Sequence, residues 1–348
     1  MDLIRQTCKL RNSPRTEFSV VSGYNYYAVP EVIPENGSFP AMHVPSRVVY
    51  RLDPGPELNS WEAEHQIKWY RDFVLKPAPR SRIEWPVDLV RISSGAGPAK
   101  RERLYYVFFQ QSMPELEPIK PFLYLNRKHE HLDWRRESVQ KVATGFLETM
   151  AALHDSGYTY NDFDLDRICH DPATGRFFLR HTGAVRKMKS SNARNEVEPE
   201  QVAVEFATPC EGVDRDKYAI AAILFRLMIG RLPYQGWQIE QNTHVFDTNY
   251  PDLEQELAYS AYFKRYHSMH CFIFDPEDNS NCLSSGVEED QARARWKALP
   301  ERVRTMFIHA LAYTDPEKQE KMVLYTPQQW LAALKGCWKK HEGGRKND

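Results

Sequence analysis

The residues best suited to chemistry lie in the stretch YTYNDFDLDRICHD, which follows a helix-like run ending in LHDSG. Three carboxylates, Asp162, Asp164 and Asp166, alternate along this stretch. Oxygen ligands suit magnesium, calcium or manganese, so these side chains could form a metal site together with His181. In the alternative, which we prefer, Asp162 hydrogen-bonds its own loop. Asp164 and Asp166 are then solvated or pair with Arg167.

The elements around this stretch change character along the chain. Short runs rich in valine, tyrosine and phenylalanine, separated by proline and glycine, predict strands in the first third. These runs are residues 17–29, 46–52, 87–93 and 103–110. The first of them, EFSVVSGYNYYAV, reads as a hairpin around Gly23. Between the strands, NSWEAEHQIKWYRDFVL predicts one helix with Asn59 or Ser60 as its cap.

From about residue 135 onward the apolar spacing is mainly helical. The helical runs are RRESVQKVATGFLETMAALHDSG, DKYAIAAILFRLMIG, ALPERVRTMFIHALAY and TPQQWLAALKGCW. A strand-rich part followed by a helix-rich part predicts an α+β protein with two lobes. We expect a small β-rich lobe with one helix at residues 1–112, a larger, mainly helical lobe at 113–338, and a disordered tail at 339–348.

Composition excludes several classes of protein. The formal net charge is -1, from 46 basic and 47 acidic side chains, which leaves no overall field to attract nucleic acid or an anionic membrane. The six cysteines are far apart and form no CxxC pair, so neither a zinc knuckle nor a disulfide framework is indicated. No apolar run approaches the roughly 18 residues of a membrane span. We therefore expect a cytoplasmic protein with reduced thiols and no nucleic-acid or membrane partner.

The acidic stretch resembles a known motif. LHDSGYTYNDFDLDRICHD is similar to the catalytic loop of the protein-kinase superfamily, usually HRDxxxxN. Tyr160, Asn161, Asp162 and Arg167 stand in the places of its His, Arg, Asp and Asn, so only the aspartate matches. Further along, His181 opens the tripeptide HTG where such proteins place Asp-Phe-Gly.

The resemblance extends toward the C-terminus. DKYAIAAILFRLMIGRLPYQG resembles the buried helix of these proteins that begins with an aspartate and ends in a G-x-x-P-F/Y turn. Three later segments are similar to the C-lobe of bacterial kinase-like proteins of the TerY-associated and YegI-like group. These segments are CFIFDPEDNSN, ALPERVRTMFIHAL and YTPQQWLAAL. The resemblance implies a bilobal protein-kinase-like fold, in which Asp216 caps backbone N–H groups and holds the loop near Asp162. It also implies two partners, a von Willebrand A protein and a metal-dependent phosphatase.

The substituted positions are those that would hold nucleotide and metal. The resemblance places Arg51 at the strand-three lysine and Glu64, or alternatively Glu62, at its helix partner, and we interpret this pair as structural. Kinases coordinate magnesium through the Asp-Phe-Gly aspartate and the loop asparagine, which His181 and Arg167 replace here. We therefore expect no cofactor, no metal, and no ordinary catalysis with magnesium and ATP.

Two hypotheses follow. The first is a pseudokinase, a protein-binding or regulatory module in a bacterial phospho-signalling or stress system. The second is an active ATP-dependent serine/threonine kinase, or another transferase, which retains Asp162 as a base and coordinates metal in an unorthodox way. The absence of both usual metal ligands favours the first.

Overall fold

The protein is described here from a computed structural model. The described residues are 18–20, 26–28, 39–43, 46, 49–59, 61, 63–64, 67, 83, 85–94, 101–109, 117–119, 137–160, 163, 168–171, 177–179, 185–188, 210, 212–240, 271–314 and 318–344. They fall into two compact units that divide between Glu115 and Leu116. Among the helices in these ranges, none has the length and apolar character needed to cross a bilayer.

The first unit contains a six-stranded antiparallel sheet. Its strands are β1 (Phe18–Val20), β2 (Tyr26–Ala28), β3 (Phe39–His43), β4 (Val49–Leu58), β5 (Asp88–Ser94) and β6 (Arg101–Phe109), in the order β1-β5-β6-β4-β3-β2. Aromatic and aliphatic side chains from the inner strands form its core, because successive side chains of a strand alternate between the two faces. The core residues are Ala41, Leu52, Val90, Tyr105 and Val107, with Tyr50, Val87 and Ile92 packed against them.

The predicted first hairpin is wrong. β1 pairs with β5, through Phe18 opposite Ile92, and β2 pairs with β3. Residues 18–20 and 26–28 of the stretch EFSVVSGYNYYAV therefore lie at opposite edges of the sheet. A local turn signal such as Gly23 predicts pairing between neighbours, but the partner of a short strand is decided by long-range packing.

The described part of the predicted helix near residue 60 is helical at Trp61, Ala63, Glu64 and Ile67. Ala63 donates its N–H to the carbonyl of Asn59 at 2.9 Å, so the helix starts where the cap was predicted. Ala63 is buried, whereas Trp61, which the sequence placed with the apolar side chains, is 71% exposed.

The second unit is mainly helical. Its helices are α1 (Glu137–Asp155), α2 (Gly212–Ile229), α3 (Trp237–Glu240), α4 (Val287–Ala298), α5 (Glu301–Leu311) and α6 (Pro327–Gly344), and its strands are β7 (Glu117–Pro118), β8 (Tyr158–Tyr160), β9 (Ile168–His170), β10 (Phe177–Leu179) and β11 (Val185–Lys187). The strands form two small antiparallel sheets, β10-β9-β7 and β11-β8. Described residues 339–344, where the sequence predicted a disordered tail, are part of α6.

α1 and α2 position the candidate site. α1 ends at a left-handed turn in which Gly157, with φ of 81°, donates its N–H to the carbonyl of His154 at 2.9 Å. Glycine accepts that conformation without the Cβ clash of other residues, so β8 can begin at the next residue. α2 is buried along almost its whole length from Asp216 to Ile229, as expected for a helix that is apolar on all sides.

Candidate functional site

The predicted site residues divide into two groups. Asp162, Arg167 and His181 lie outside the described residues, as do Asp164 and Asp166. The metal-site alternative built on those carboxylates therefore stays a prediction. Arg51, Glu64 and Asp216 are described.

Asp216 lies in the second turn of α2 rather than at its start, because the helix already begins at Gly212. Its Oδ2 accepts the backbone N–H of Tyr160 at 2.7 Å and lies 2.8 Å from Nε2 of His154. The backbone N–H that Asp216 accepts belongs to β8 rather than to the first turn of its own helix, and its second partner lies on α1. Tyr160 stands two residues before Asp162, so the carboxylate fixes the strand that leads into the acidic loop.

The environment of Asp216 makes its negative charge costly. The residue is fully buried, and this burial raises the pKa of its carboxyl group to about 6, against the opposing effects of His154, Tyr160 and Arg215. His154 is half-buried as a residue, but only 8% of its side chain is exposed. The second oxygen, Oδ1, has no hydrogen-bond partner among the described residues. Hydrogen bonds therefore offset only part of the cost of burying this carboxylate. Its protonation consequently changes the stability of the folded state.

The pH dependence of stability follows from this pKa. The pKa of Asp216 rises from 3.8 to about 6 on folding, so between these values the folded state binds the proton and the unfolded chain does not. Stability from this group is present below about pH 4 and is lost as the pH rises to about 6. Relative to Asp216→Asn, the free energy of unfolding should fall by about 3 kcal/mol across that window. Urea denaturation of both proteins at several pH values measures this, and a flat or rising difference contradicts it.

Two aromatic side chains flank Asp162. Tyr160 and Phe163 are both fully buried, and their rings meet edge to face with centroids 5.4 Å apart. Tyr160 is also paired with Val185 across the β8–β11 ladder. Burial of aromatic rings and a backbone hydrogen bond thus hold the loop at Tyr160 and again at Phe163. These contacts position a loop, and none of them assists proton transfer or metal binding.

Sequence reasoning missed His154 and Phe163. His154 lies in the LHDSG segment, and its position at the end of a helix next to the loop was an available signal. Phe163 was detectable as the large apolar residue within an otherwise acidic stretch.

The first unit separates the two residues predicted as an ion pair. Glu64 pairs with Arg91 of β5 rather than with Arg51, within the residues that the structure describes. The guanidinium of Arg51, on β4, lies over the ring of Phe108 on β6, 5.0 Å from its centroid. Arg51 and Phe108 are direct cross-strand partners in this antiparallel ladder. Glu64 therefore pairs with Arg91 instead of Arg51, while Arg51 makes a cation–π contact with Phe108. The alternative partner of Arg51, Glu62, lies outside the described residues, so that pair stays a prediction.

Comparison with known proteins adds to this geometry. No protein-family model and no curated protein matches the sequence. One solved structure that does match is ROP2 from Toxoplasma gondii, described as a virulence factor with a protein-kinase fold and no enzymatic activity. The match covers 97% of this chain and 90% of that chain with a TM-score of 0.51. The chain has a protein-kinase-like fold.

The sequence identity to ROP2 is 12%, so the likeness concerns the fold alone. α2, which carries Asp216, is the helix whose sequence resembles the buried helix of protein kinases that begins with an aspartate. The fold is α+β, as predicted from the order of strands and helices.

Proposed function

We propose that the chain is a pseudokinase: a protein-kinase-like protein without phosphotransferase activity that acts as a protein-binding or regulatory module. The observation that carries this proposal is the replacement of both magnesium ligands, with Arg167 at the position of the loop asparagine and His181 at that of the Asp-Phe-Gly aspartate.

The physical reason lies in what these two side chains can offer a cation. A guanidinium has no lone pair and carries a permanent positive charge. At about 4 Å, two like charges in a partly buried site repel by several kcal/mol. Imidazole is a poor ligand for magnesium, which prefers oxygen. Arg167 and His181 would therefore expel the metal that phosphoryl transfer needs.

The contacts of Asp216 support the same proposal. A buried carboxylate, the His154 side chain and two buried aromatic rings stabilise the strand that leads into the loop. The residues that would perform chemistry have changed. ROP2 shows that a protein-kinase fold exists without enzymatic activity, which makes the combination physically reasonable.

The proposal has finer parts. The two units form the small and large lobes of a bilobal protein-kinase-like architecture. The chain belongs with the TerY-associated and YegI-like bacterial proteins and acts in a phospho-signalling or stress system. Its partners include a von Willebrand A protein and a metal-dependent phosphatase. The motif resemblance in the sequence supports each of these parts.

Titration with ATP tests the proposal. A ligand that binds only the folded state raises stability by mass action. We expect millimolar ATP, with or without magnesium or manganese, to change the melting temperature by less than about 1 °C. We also expect no autophosphorylation with radiolabelled ATP.

The control restores the missing ligands in the same chain. Arg167→Asn combined with His181→Asp supplies two oxygen ligands and removes the guanidinium, so this variant should gain a magnesium-dependent stabilisation by ATP. A metal-dependent shift in the native protein that Asp162→Ala abolishes would contradict the proposal. It would instead support the active enzyme with Asp162 as its base.

A further inference from the structure

The surface of the second unit carries a trough between α5 and α6 that the proposed function does not explain. Its volume is about 440 Å³. The residues that line this α5–α6 trough are Glu301, Arg302, Thr305, Met306, Tyr325 and Gln329. It combines an apolar floor with charged and hydrogen-bonding edges, which is the composition of a binding site.

The apolar floor consists of Met306 and Tyr325. Met306 is buried, with 4% of its surface exposed. The Tyr325 hydroxyl lies 2.8 Å from Nδ1 of His309, and the Tyr325 ring packs edge to face on Trp330 at 5.9 Å. The tyrosine is therefore held from two sides and offers a preformed platform.

One edge of the trough presents a fixed amide. Thr326 and Gln329 form a reciprocal cap at the start of α6, with Thr326 N–H donating to Gln329 Oε1 at 2.8 Å and Gln329 N–H donating to Thr326 Oγ1 at 3.3 Å. This cap uses the oxygen of the Gln329 side chain and leaves its NH₂ group as a donor. The hydroxyl of Thr305, which is exposed, provides a second polar group. Both groups suit the backbone of an extended peptide.

The charge of the trough favours an anion. Glu301 and Arg302 occupy the first turn of α5, and neither forms an ion pair within the described ranges. The positive end of the helix dipole stabilises Glu301 there, but it disfavours a cation such as Arg302. The N-cap residue, Pro300, adds no side-chain hydrogen bond. The helix dipole offsets the charge of Glu301 and not that of Arg302, so Arg302 is the group beside the apolar floor that gains from an anionic partner.

The shape of the trough favours a polymer over a small molecule. Four of the six lining residues are exposed, namely Glu301, Arg302, Thr305 and Gln329. A small ligand binds well where most of its surface is enclosed, whereas a chain segment gains further contacts beyond both ends of an open groove. We propose that the α5–α6 trough binds an extended segment of a partner protein in which an acidic side chain lies next to an apolar one. This inference rests on the proposed binding function and names its surface.

The test uses the full chain labelled with ¹³C at its methionine methyl groups, with the Met306 signal assigned from Met306→Leu. The probes are three synthetic peptides of equal length that alternate leucine with glutamate, glutamine or lysine. We expect the glutamate peptide to shift the Met306 signal saturably below about 1 mM, and the other two to bind about tenfold more weakly.

Variants locate the contact. Arg302→Gln should weaken binding of the glutamate peptide about tenfold, because it removes one charge-assisted hydrogen bond. Thr305→Trp should abolish binding by filling the trough from an exposed position. Lys297→Gln removes one exposed charge from α4, outside the trough, and should leave the affinity unchanged.

Three results overturn the inference: no Met306 shift with any peptide, equal responses to the three peptides, or an equal response to inorganic phosphate alone. The last would identify a simple anion site. If no peptide shifts the Met306 signal and ATP does not change the melting temperature, the trough is not a peptide-binding site and the pseudokinase proposal still stands. Stabilisation of the native chain by ATP and metal sinks the proposed function whatever the peptides do.

Discussion

Asp216→Ala should lower the free energy of unfolding by about 3 kcal/mol. The substitution leaves the backbone N–H of Tyr160 without its acceptor and removes the partner of His154. Both groups are buried, so water cannot replace the lost hydrogen bonds without opening the structure. Urea denaturation followed by far-ultraviolet circular dichroism measures the loss.

The matched control is the same substitution two residues earlier in α2. Asp214 is 53% exposed and pairs with Lys217 at 2.7 Å on the helix surface. Surface pairs of this kind contribute little, so Asp214→Ala should change the free energy of unfolding by at most about 0.5 kcal/mol. If the two variants unfold at the same urea concentration, the role assigned to Asp216 is wrong.

Phe225→Ala should have the largest effect of the substitutions considered, a loss of about 4 kcal/mol. Phe225 is fully buried in α2 at the centre of an aromatic cluster. Its ring meets Phe272 at 5.2 Å and Phe307 at 5.4 Å, both edge to face. Truncation removes these ring contacts and leaves a cavity that rigid neighbours cannot fill. Urea denaturation should therefore show a much lower midpoint.

A second variant separates cavity size from loss of the side chain. Phe225→Leu keeps most of the apolar volume and should cost only about 1 to 2 kcal/mol. Tryptophan fluorescence provides an internal probe, because Trp296 stacks on Phe274 at 4.6 Å within the same cluster. Equal losses for alanine and leucine would contradict a packing role.

The helices were more predictable from the sequence than the strands. α1 and α5 were predicted from their apolar spacing, and each follows that spacing with one buried face. α4 was missed because its sequence, VEEDQARARWKA, is charged throughout and Ala292 is its only fully buried residue. Such a helix has no apolar residues repeating at helical spacing, so its sequence does not predict it.

The strands show where local patterns stop being informative. β5 and β6 were predicted because they are long runs of β-branched and aromatic residues. β3 was missed, since Pro40 interrupts its pattern. The pairing of β1 with β5 joins residues that are far apart in sequence, and no local signal encodes that distance.

The candidate site was predictable in part. The resemblance identified Asp216, but its partner His154 became apparent only when α1 and α2 were seen together. The prediction that Glu64 pairs with Arg51 shows the opposite case, in which the partner was named from the sequence and the structure differs. The resemblance named Glu64 as a partner of Arg51, whereas in the structure Glu64 pairs with Arg91, and the guanidinium of Arg51 lies over the ring of Phe108.

The strand order also bears on self-association. Within the described part of the chain, the two edge strands of the six-stranded sheet, β1 and β2, are three residues long each. A long exposed edge strand presents a row of unpaired backbone N–H and C=O groups to another molecule, whereas a short edge strand presents few. β1 pairs with residues 90–92 of the seven-residue β5, so the middle of β5 already has a neighbour and is not available for pairing with another chain.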